Sequence, residues 1–250
     1  MKKSCFKNVL SIVITSTLFS CAGAISSNGN IIFGEYPDRF LEENYKLADF
    51  KNGKPQGCDI RHDRGNGHPF NCTFSKENVV FENDAMDLHL TQMGVSYAGA
   101  EVRSKSYTGF GFYSVYMKVA KCPGVISSFF VYKGNPWHEI DIEFLGNDTT
   151  KVQFNHYTDA KGNHEYLYNL GFDASEDYHE YAFDWTKDYI IYYVDGKAVY
   201  KTETEIPYEK GRIMMNLWNV ADSNQDWAGK FDDSQLPVTS SYKWFGYQSA

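Results

Sequence analysis

Three acidic side chains in the segment Glu139-Ile140-Asp141-Ile142-Glu143 have the types and spacing to do chemistry. Side chains alternate along a β-strand, so the three acids would share one face and the isoleucines the other. With a rise of ~3.3 Å per residue, neighbouring acids in this row lie about 6.7 Å apart. Three like charges this close favour leaving at least one carboxyl protonated or tightly hydrogen-bonded.

Three kinds of function or structure are compatible with this acidic row. A merely solvated strand face would more naturally interleave Lys and Thr, and calcium wants six to eight oxygens, which a straight strand supplies poorly. Glycoside hydrolysis needs one ionised carboxylate and one proton-donating carboxyl on either side of a sugar bond. The Cα atoms of Glu139 and Glu143 would lie about 13 Å apart on a flat strand, so spacing alone permits a retaining or an inverting mechanism.

The elements that must position these acids are strands. Strand-like segments recur about every ten residues and are punctuated by Gly, Asn, Asp or Pro, which is typical of a β-sandwich or barrel. Asp195-Gly196 indicates a two-residue hairpin turn. With no internal repeat, linker or sustained helical period after the N-terminal region, the sequence predicts one antiparallel domain of two packed sheets. The predicted strands are 79–82, 86–92, 100–105, 111–119, 125–132, 138–144, 151–157, 180–185, 189–194, 197–200 and 212–218.

Composition excludes several classes of protein. The chain has 250 residues, a formal net charge of −8 and 17% aromatic residues. An acidic chain is a poor partner for nucleic acid, because phosphate contacts need clustered Lys and Arg. Aromatic residues favour strands and also form flat platforms for flat ligands. Collagen, coiled coil and polytopic membrane protein are all excluded by this composition.

The N-terminus resembles an export signal. Lysines precede a short apolar run, 9–19, which ends in small residues, so we expect residues 1–24 to be a secretory signal peptide. Residues 25–250 would then form a single catalytic domain that is secreted and extracellular. Residues 18–21 also resemble a lipoprotein cleavage box, in which case Cys21 would carry lipid and anchor the protein at the cell surface.

Three cysteines, Cys58, Cys72 and Cys122, follow the N-terminal region. An odd number leaves at least one thiol unpaired within a monomer. Their spacings match no zinc pattern. A Cys58–Cys72 disulfide remains one alternative, because its geometry cannot be tested from sequence.

Several blocks of the chain resemble one enzyme family. The segment from Glu139 to Gly146 is similar to the active-site signature of glycoside hydrolase family 16. The blocks 148–155 and 213–218 resemble that family's bacterial lichenases, and the agreement runs in order from about residue 69 to 247. Related laminarinases usually carry one more residue before the last glutamate of the signature, and this chain lacks that residue. The resemblance implies an all-β, antiparallel β-jelly-roll (concanavalin-like) sandwich whose concave sheet forms an open cleft.

The resemblance also implies roles for the acids. Glu139 would be the nucleophile, Glu143 the general acid/base, and Asp141 would orient and tune the pair in a retaining mechanism. The implied reaction is endo-hydrolysis of β-1,4 bonds that follow a 3-O-substituted glucose in mixed-linkage β-1,3-1,4-glucan, with no cofactor required. The implied partner is this polysaccharide, with no nucleic acid and no protein partner, and we expect a monomer. The substrate-binding residues carried over from the family are Asn66, Phe70, Glu101, Arg103, Phe130, Tyr132, Trp137, Asn155, Tyr157, Asn216 and Trp218.

Three positions depart from the family pattern. His138 stands where many lichenases have Asp, and we expect it to point away from the acidic row and to have no direct role. Gly99 occupies the partner position of the family's disulfide to Cys72, so that bridge would be absent. Lys243 replaces an Asp that supplies a calcium ligand in relatives; because a cation cannot coordinate calcium, we predict that this site is lost and that no metal is bound.

Two other functions compete with this interpretation. A sugar-binding module on the same fold would lack catalysis, but such lectins usually lose the second glutamate or build a metal loop nearby. A different specificity within the family, toward xyloglucan or laminarin, is the closer alternative.

Overall fold

The computed structural model describes residues 46–250, with side chains from residue 48 onward. The predicted signal peptide and Cys21 lie outside this range. The described chain is built almost entirely of strands, which are β1 (Lys46–Asp49), β2 (Cys58–Ile60), β3 (Thr73–Phe74), β4 (Val79–Glu82), β5 (Ala85–Met93), β6 (Ser96–Ser104), β7 (Gly111–Lys118), β8 (Val125–Lys133), β9 (His138–Leu145), β10 (Lys151–Tyr157), β11 (Tyr166–Asn169), β12 (His179–Trp185), β13 (Ile190–Val194), β14 (Lys197–Thr202), β15 (Arg212–Asn219) and β16 (Val238–Ser249). One short helix, α1 (Gln225–Ala228), follows β15.

Strand pairing arranges the chain in two layers. One layer has the order β11-β10-β9-β8-β15-β6, with β2 on its edge, and the other has the order β5-β16-β7-β12-β13-β14. The β5–β6 hairpin joins them through the pairs Thr91–Ala98, Gln92–Tyr97 and Met93–Ser96. Among the described strands only the short β3–β6 pairing is parallel. The two-layer antiparallel β-sandwich predicted from the sequence is therefore confirmed.

Aromatic side chains fill the space between the layers. The ring of Phe144 on β9 lies 4.7 Å from that of Tyr181 on β12, and Phe154 on β10 stacks on Tyr192 of β13 at 4.3 Å. The hydroxyl of Tyr242 on β16 donates to the backbone oxygen of Ser128 across the core, at 3.0 Å. These rings belong to one continuous buried cluster, so much of the aromatic content serves the core.

Most predicted strands are present within one or two residues of their expected bounds, although β6 begins earlier, at Ser96. The Asp195-Gly196 turn has positive φ at both residues, 45° and 78°, as a two-residue hairpin requires. The sequence reasoning missed β1, β2, β3, β11 and β16. Most of these are short or lie at an edge, and the long strand β16 carries Ser and Lys that weaken its apolar pattern.

The three described cysteines are all free thiols. Burial raises the pKa of Cys58 to about 11 and that of Cys72 to about 12. A Cβ built on Gly99 would lie 2.8 Å from Sγ of Cys72, so Gly99 does adjoin Cys72. Neither Cys58 nor Cys122 takes the place of that missing partner.

Candidate active site

Cross-strand register assembles the acidic row of β9 into a wider polar surface. Paired residues of neighbouring strands present their side chains on the same face of the sheet. Three rows therefore run side by side over the layer that contains β9. From β10 toward β6 they are Gln153–Glu143–Ser128–Asn216–Glu101, Asn155–Asp141–Phe130–Met214–Arg103 and Tyr157–Glu139–Tyr132–Arg212.

The three acids share a desolvated position in the middle of these rows. Asp141 is buried, at 5% exposure, and Glu139 and Glu143 on either side are half-buried. Burial is the largest cause of a raised pKa at each of them, and mutual repulsion adds to it at Glu139 and Asp141. Asp141 also shares a hydrogen bond with Glu139 that raises the pKa of Asp141 and lowers that of Glu139. Burial and mutual repulsion therefore favour one proton shared between Asp141 and Glu139.

Glu139 receives a second donor from the residue two positions earlier. Nε1 of Trp137 donates to Oε2 of Glu139 at 2.6 Å, and this hydrogen bond lowers the pKa of the carboxyl. The indole is held by Tyr157, whose ring stacks on it with centroids 4.3 Å apart and planes 13° apart. The hydrogen bonds from Trp137 and Asp141 lower the pKa of Glu139, but burial outweighs them and raises this pKa to about 8, against about 7 for Glu143.

Glu143 depends on a different pair of side chains. Nε2 of Gln153 donates to Oε2 of Glu143 at 3.0 Å, and Oε1 of Gln153 accepts from Nε1 of Trp227 at 3.0 Å. Because Trp227 occupies the amide oxygen, the NH₂ group of Gln153 must face Glu143. Trp227 lies on α1, so a short helix after β15 orients a carboxyl on β9.

Glu101 is the centre of a second polar group in the cleft. This carboxylate is 1% exposed, and it accepts from Nδ2 of Asn66 at 3.2 Å and of Asn216 at 3.3 Å. Nε of Arg61 lies 3.4 Å away as an ion pair. Burial raises the pKa of Glu101, while these partners and Arg103 lower it. The group ties the Gly-rich loop that carries Asn66 to the floor of the cleft.

Aromatic rings provide the apolar surfaces of the cleft. Phe70 stacks on Trp218 with centroids 3.9 Å apart. Tyr132 and Trp137 are each 36% exposed, so both rings present apolar surface to the cleft. Flat exposed rings beside hydrogen-bonding groups are suited to stacking against sugar rings.

Nearly all the predicted site residues line one open cleft of about 480 Å³. Two do not: Asn155 and Tyr157 are absent from the lining. Asn155 is 3% exposed and accepts from the backbone N–H of His156, and Tyr157 supports the Trp137 ring from behind. The predicted residues that do line the cleft are Asn66, Phe70, Glu101, Arg103, Phe130, Tyr132, Trp137, Glu139, Asp141, Glu143, Asn216 and Trp218.

Sequence reasoning missed several residues of the site. Gln153 stands two positions before Asn155 on β10, so strand alternation alone signals that it shares the face. Trp227 carries no such signal, because its role follows from where α1 packs. Other lining residues come from loops and strand ends, namely Arg61, Arg64, Gly65, His68, Pro69, Tyr107, Ser128, Gly134, Arg212 and Met214.

His138 points away from the acidic row, as expected. Its side chain is 1% exposed, and its Nε2 lies 3.2 Å from Oδ1 of Asp159. The hydroxyl of Tyr208 donates to the same carboxylate at 2.9 Å, and the Tyr208 ring packs edge-on against His138. This group lies beneath the strand and anchors the loop that follows β10.

Two observations concern metal ligands among the described residues. Within residues 46–250, no group of three or more His, Cys, Asp or Glu side chains is arranged to hold an ion. Lys243 donates from Nζ to the backbone oxygen of Asn83 at 2.7 Å.

Known proteins that are similar to this chain in sequence include β-glucanases. A β-glucanase of Acetivibrio thermocellus is 50% identical over 192 residues, which cover 74% of this chain and 57% of the relative. The chain thus spans little more than half of that relative's length. A β-glucanase of Paenibacillus macerans is 41% identical over an alignment of 254 positions that covers 99% of both chains.

Solved structures show the same fold. A β-1,3-1,4-glucanase (lichenase) from a mouse hindgut metagenome superposes with a TM-score of 0.79 at 44% identity, over 83% of this chain and all of that one. The Bacillus licheniformis β-glucanase gives a TM-score of 0.79 at 43% identity, over 83% and 99% of the two chains.

The family model for glycosyl hydrolases family 16 matches residues 66–237, well over half of the chain. The chain therefore belongs to glycoside hydrolase family 16.

Proposed function

We propose that the protein is an endo-acting lichenase, which hydrolyses β-1,4 bonds following a 3-O-substituted glucose in mixed-linkage β-1,3-1,4-glucan. The observation that carries the proposal is the Glu139–Asp141–Glu143 row on the floor of an open, aromatic-lined cleft. A cleft open at the surface admits the middle of a polymer, which is what an endo-acting enzyme needs. The β-glucanases and lichenase that resemble the chain at 41–50% identity support this substrate.

The two outer carboxyls take complementary parts in a retaining double displacement. Ionised Glu139 attacks the anomeric carbon while protonated Glu143 gives its proton to the departing glycosidic oxygen. A covalent glycosyl-enzyme ester then joins the sugar to Glu139. Glu143, now a carboxylate, takes a proton from water, the resulting hydroxide displaces Glu139 from the anomeric carbon, and both groups return to their starting states.

Asp141 helps to keep Glu139 ionised while Glu143 remains protonated. We assign the shared proton to Asp141, where it stabilises the nucleophile as an anion before attack without adding a second full negative charge to the desolvated row. The donor from Trp137 acts in the same sense. Burial raises the pKa of Glu143 to about 7, so near neutral pH much of this carboxyl is protonated and can give its proton to the leaving oxygen.

Isosteric amides test the two roles. Glu139→Gln and Glu143→Gln should each remove nearly all release of reducing sugar from barley β-glucan, while circular dichroism shows an unchanged fold. If both variants kept near-normal turnover, the assignment of the active site would be wrong. The same reducing-sugar assay on the unaltered protein separates an enzyme from a non-catalytic sugar-binding module.

Azide distinguishes the nucleophile from the acid/base. Glu143→Ala, given an aryl β-glucoside donor whose leaving group needs no proton, should be reactivated by azide and should form a β-glycosyl azide. This outcome follows because azide needs no general base to attack the glycosyl-enzyme ester. An α-glycosyl azide from this variant would exchange the two assignments.

Rates of hydrolysis measured side by side on several polysaccharides would determine the substrate specificity. Lichenan and barley β-glucan should be cleaved efficiently, and laminarin, carboxymethyl cellulose and xyloglucan poorly. Faster cleavage of laminarin or xyloglucan than of lichenan would replace the proposed substrate while leaving the catalytic assignment in place.

We further propose that the enzyme acts outside the cell as a monomer. The basic and apolar pattern of residues 1–24 supports export, with lipid attachment at Cys21 as the alternative route. Of the helices among residues 46–250, none is long and apolar enough to cross a membrane. Mass spectrometry of the mature N-terminus distinguishes a free residue 25 from a lipid-modified Cys21, and light scattering gives the oligomeric state.

A further inference from the structure

The arginines of this protein are concentrated in one place. The chain has nineteen lysines but only five arginines, and its net charge is −8. Four of the five arginines line the cleft, and the fifth, Arg39, lies outside the described residues. None of the described lysines is among the lining residues. We call the group formed by Arg61, Arg64, Arg103 and Arg212 the arginine corner.

The four guanidinium groups form one electrostatic unit. Arg103 lies on β6, Arg212 begins the adjacent strand β15, and Arg61 directly follows β2, which pairs with β6. Burial lowers the pKa of Arg61, and the positive charges of Arg103, Arg64 and Arg212 lower it further. Arg61 is therefore within electrostatic reach of each of the other three charges, on the side of the catalytic row away from β10.

Acidic side chains offset only part of this charge. Glu101 is an ion-pair partner of Arg61, but it also accepts from Asn66 and Asn216. Asp59 is paired with Arg103 across the sheet, but its carboxylate lies 3.9 Å from the ammonium of Lys105. Asp63, on the same loop as Arg64, lies 3.1 Å from His62. The arginine corner keeps a net positive charge.

The corner also retains free donor capacity. Nε of Arg103 is buried without a hydrogen-bond partner among the described residues, and the side chain of Arg64 is exposed. Arg212 is fixed in place, because its Nη1 donates to the backbone oxygen of Ser104 at 2.8 Å and its guanidinium lies over the Tyr107 ring at 4.7 Å. Guanidinium groups match the planar or trigonal oxygens of carboxylate and oxyanion groups with two parallel hydrogen bonds.

We propose that the arginine corner is a subsite for an anionic substituent, a carboxylate or a sulfate, carried by the glucan chain in the cleft. The inference rests on the proposed function, since it places the substituted sugars on the same polymer that the acidic row cleaves. A neutral glucan offers only hydroxyl groups, which suit Arg103 as a substrate-binding residue but bring no charge to the exposed Arg64. An oxyanion on a sugar beside β6 meets the exposed guanidinium of Arg64, close to the cleft-lining side chain of Arg103.

Substituted polymers of matched size test this subsite. We would compare kcat/KM on barley β-glucan modified to the same low degree with carboxymethyl, sulfate or neutral hydroxyethyl groups. The two anionic polymers should be cleaved severalfold more efficiently than the hydroxyethyl polymer at low salt. The advantage should shrink at high salt, because the Debye length falls from about 10 Å at 0.1 M to about 3 Å at 1 M. The carboxymethyl and sulfate polymers show which oxyanion the corner prefers.

A pair of charge-matched variants locates the effect. Arg64→Gln should lower the anionic-to-hydroxyethyl ratio of kcat/KM about two- to fivefold, the size expected for one exposed ion pair. Lys187→Gln removes one positive charge from an exposed side chain of the β12–β13 turn, and should leave the ratio unchanged. Equal ratios for the two variants, or no preference for anionic polymers at low salt, would overturn the subsite. Failure to cleave unmodified β-glucan would instead overturn the proposed function.

Discussion

Nε1 of Trp137 donates to Oε2 of Glu139 over 2.6 Å, and the same indole ring stacks on Tyr157 at 4.3 Å. One side chain thus provides a hydrogen bond to the proposed nucleophile and an exposed aromatic surface for the sugar. Both depend on alternation along the chain, because Trp137 and Glu139 are two residues apart and share a face.

The Trp137 hydrogen bond should set the acid limb of the pH–rate profile. The indole N–H lowers the pKa of Glu139, so Trp137→Phe, which lacks that donor, should raise the pKa. Since attack requires ionised Glu139, the acid limb of kcat/KM should move to higher pH. Losing a hydrogen bond to a charged group costs ~1.5–3 kcal/mol, so kcat/KM should fall at least about tenfold.

Trp218→Phe is the matched control for this change. Trp218 also lines the cleft and stacks on Phe70, but the structure gives it no hydrogen bond to an acid of the row. It should weaken substrate binding without moving the acid limb. An acid limb that stays in place in Trp137→Phe would contradict the assigned role of the indole N–H.

Gln153 should set the alkaline limb. Its amide donor lowers the pKa of Glu143, so Gln153→Leu should raise that pKa and keep Glu143 protonated to higher pH. The alkaline limb of kcat/KM should therefore move upward, while kcat falls because the acid is less well oriented. Trp227→Phe, which frees the Gln153 amide oxygen, should shift the limb in the same direction by less. Kinetics from pH 4 to 10 would measure both shifts, and a downward shift in either variant would argue against the chain of contacts.

Gly162 should matter for activity although it is outside the cleft lining. A Cβ at this position would collide with Cε1 of Tyr157 and lie 3.0 Å from its Cδ1. The Tyr157 ring is held on its other side by Trp137, so Gly162→Ala should displace both rings. We expect about a tenfold fall in kcat/KM, which corresponds to ~1.4 kcal/mol of lost transition-state stabilisation. Gly57→Ala, whose Cβ would meet nothing within 4 Å, should behave like the unaltered enzyme, and identical kinetics for the two variants would count against this packing.

Calcium should not stabilise the fold, because Lys243 places a positive charge where relatives have an Asp that binds calcium. Its ammonium donates to the backbone oxygen of Asn83 at 2.7 Å. Chelation with EDTA should leave the melting temperature unchanged in differential scanning calorimetry. Lys243→Met should lower it by about 2–4 °C, as expected for one hydrogen bond of ~1 kcal/mol in a chain of this size. A drop of several degrees on chelation of the unaltered protein would show that a calcium site persists.

Much of the catalytic row could be predicted from sequence because strand alternation is a local property. The spacing of Glu139, Asp141 and Glu143 determines that they share a face, whichever strands lie beside them. The Asp195-Gly196 turn is local in the same way, since it depends on the φ angles of two residues. The resemblance to family 16 added the roles of the three acids, which spacing alone left open.

Other features were decided only by tertiary structure, since they depend on residues far apart in the chain. Trp227 donates to Gln153 although the two are 74 positions apart in the sequence. The arginine corner likewise brings together Arg61 and Arg212, which are far apart in the sequence. Asn155 shows the same limit in another way. Alternation predicts that it faces the cleft and register places it beside Asp141, yet neighbouring groups bury it at 3% exposure. Alternation along one strand determined which side chains point together. Register between strands and the paths of loops decided which of them meet, because those depend on packing the whole sandwich at once.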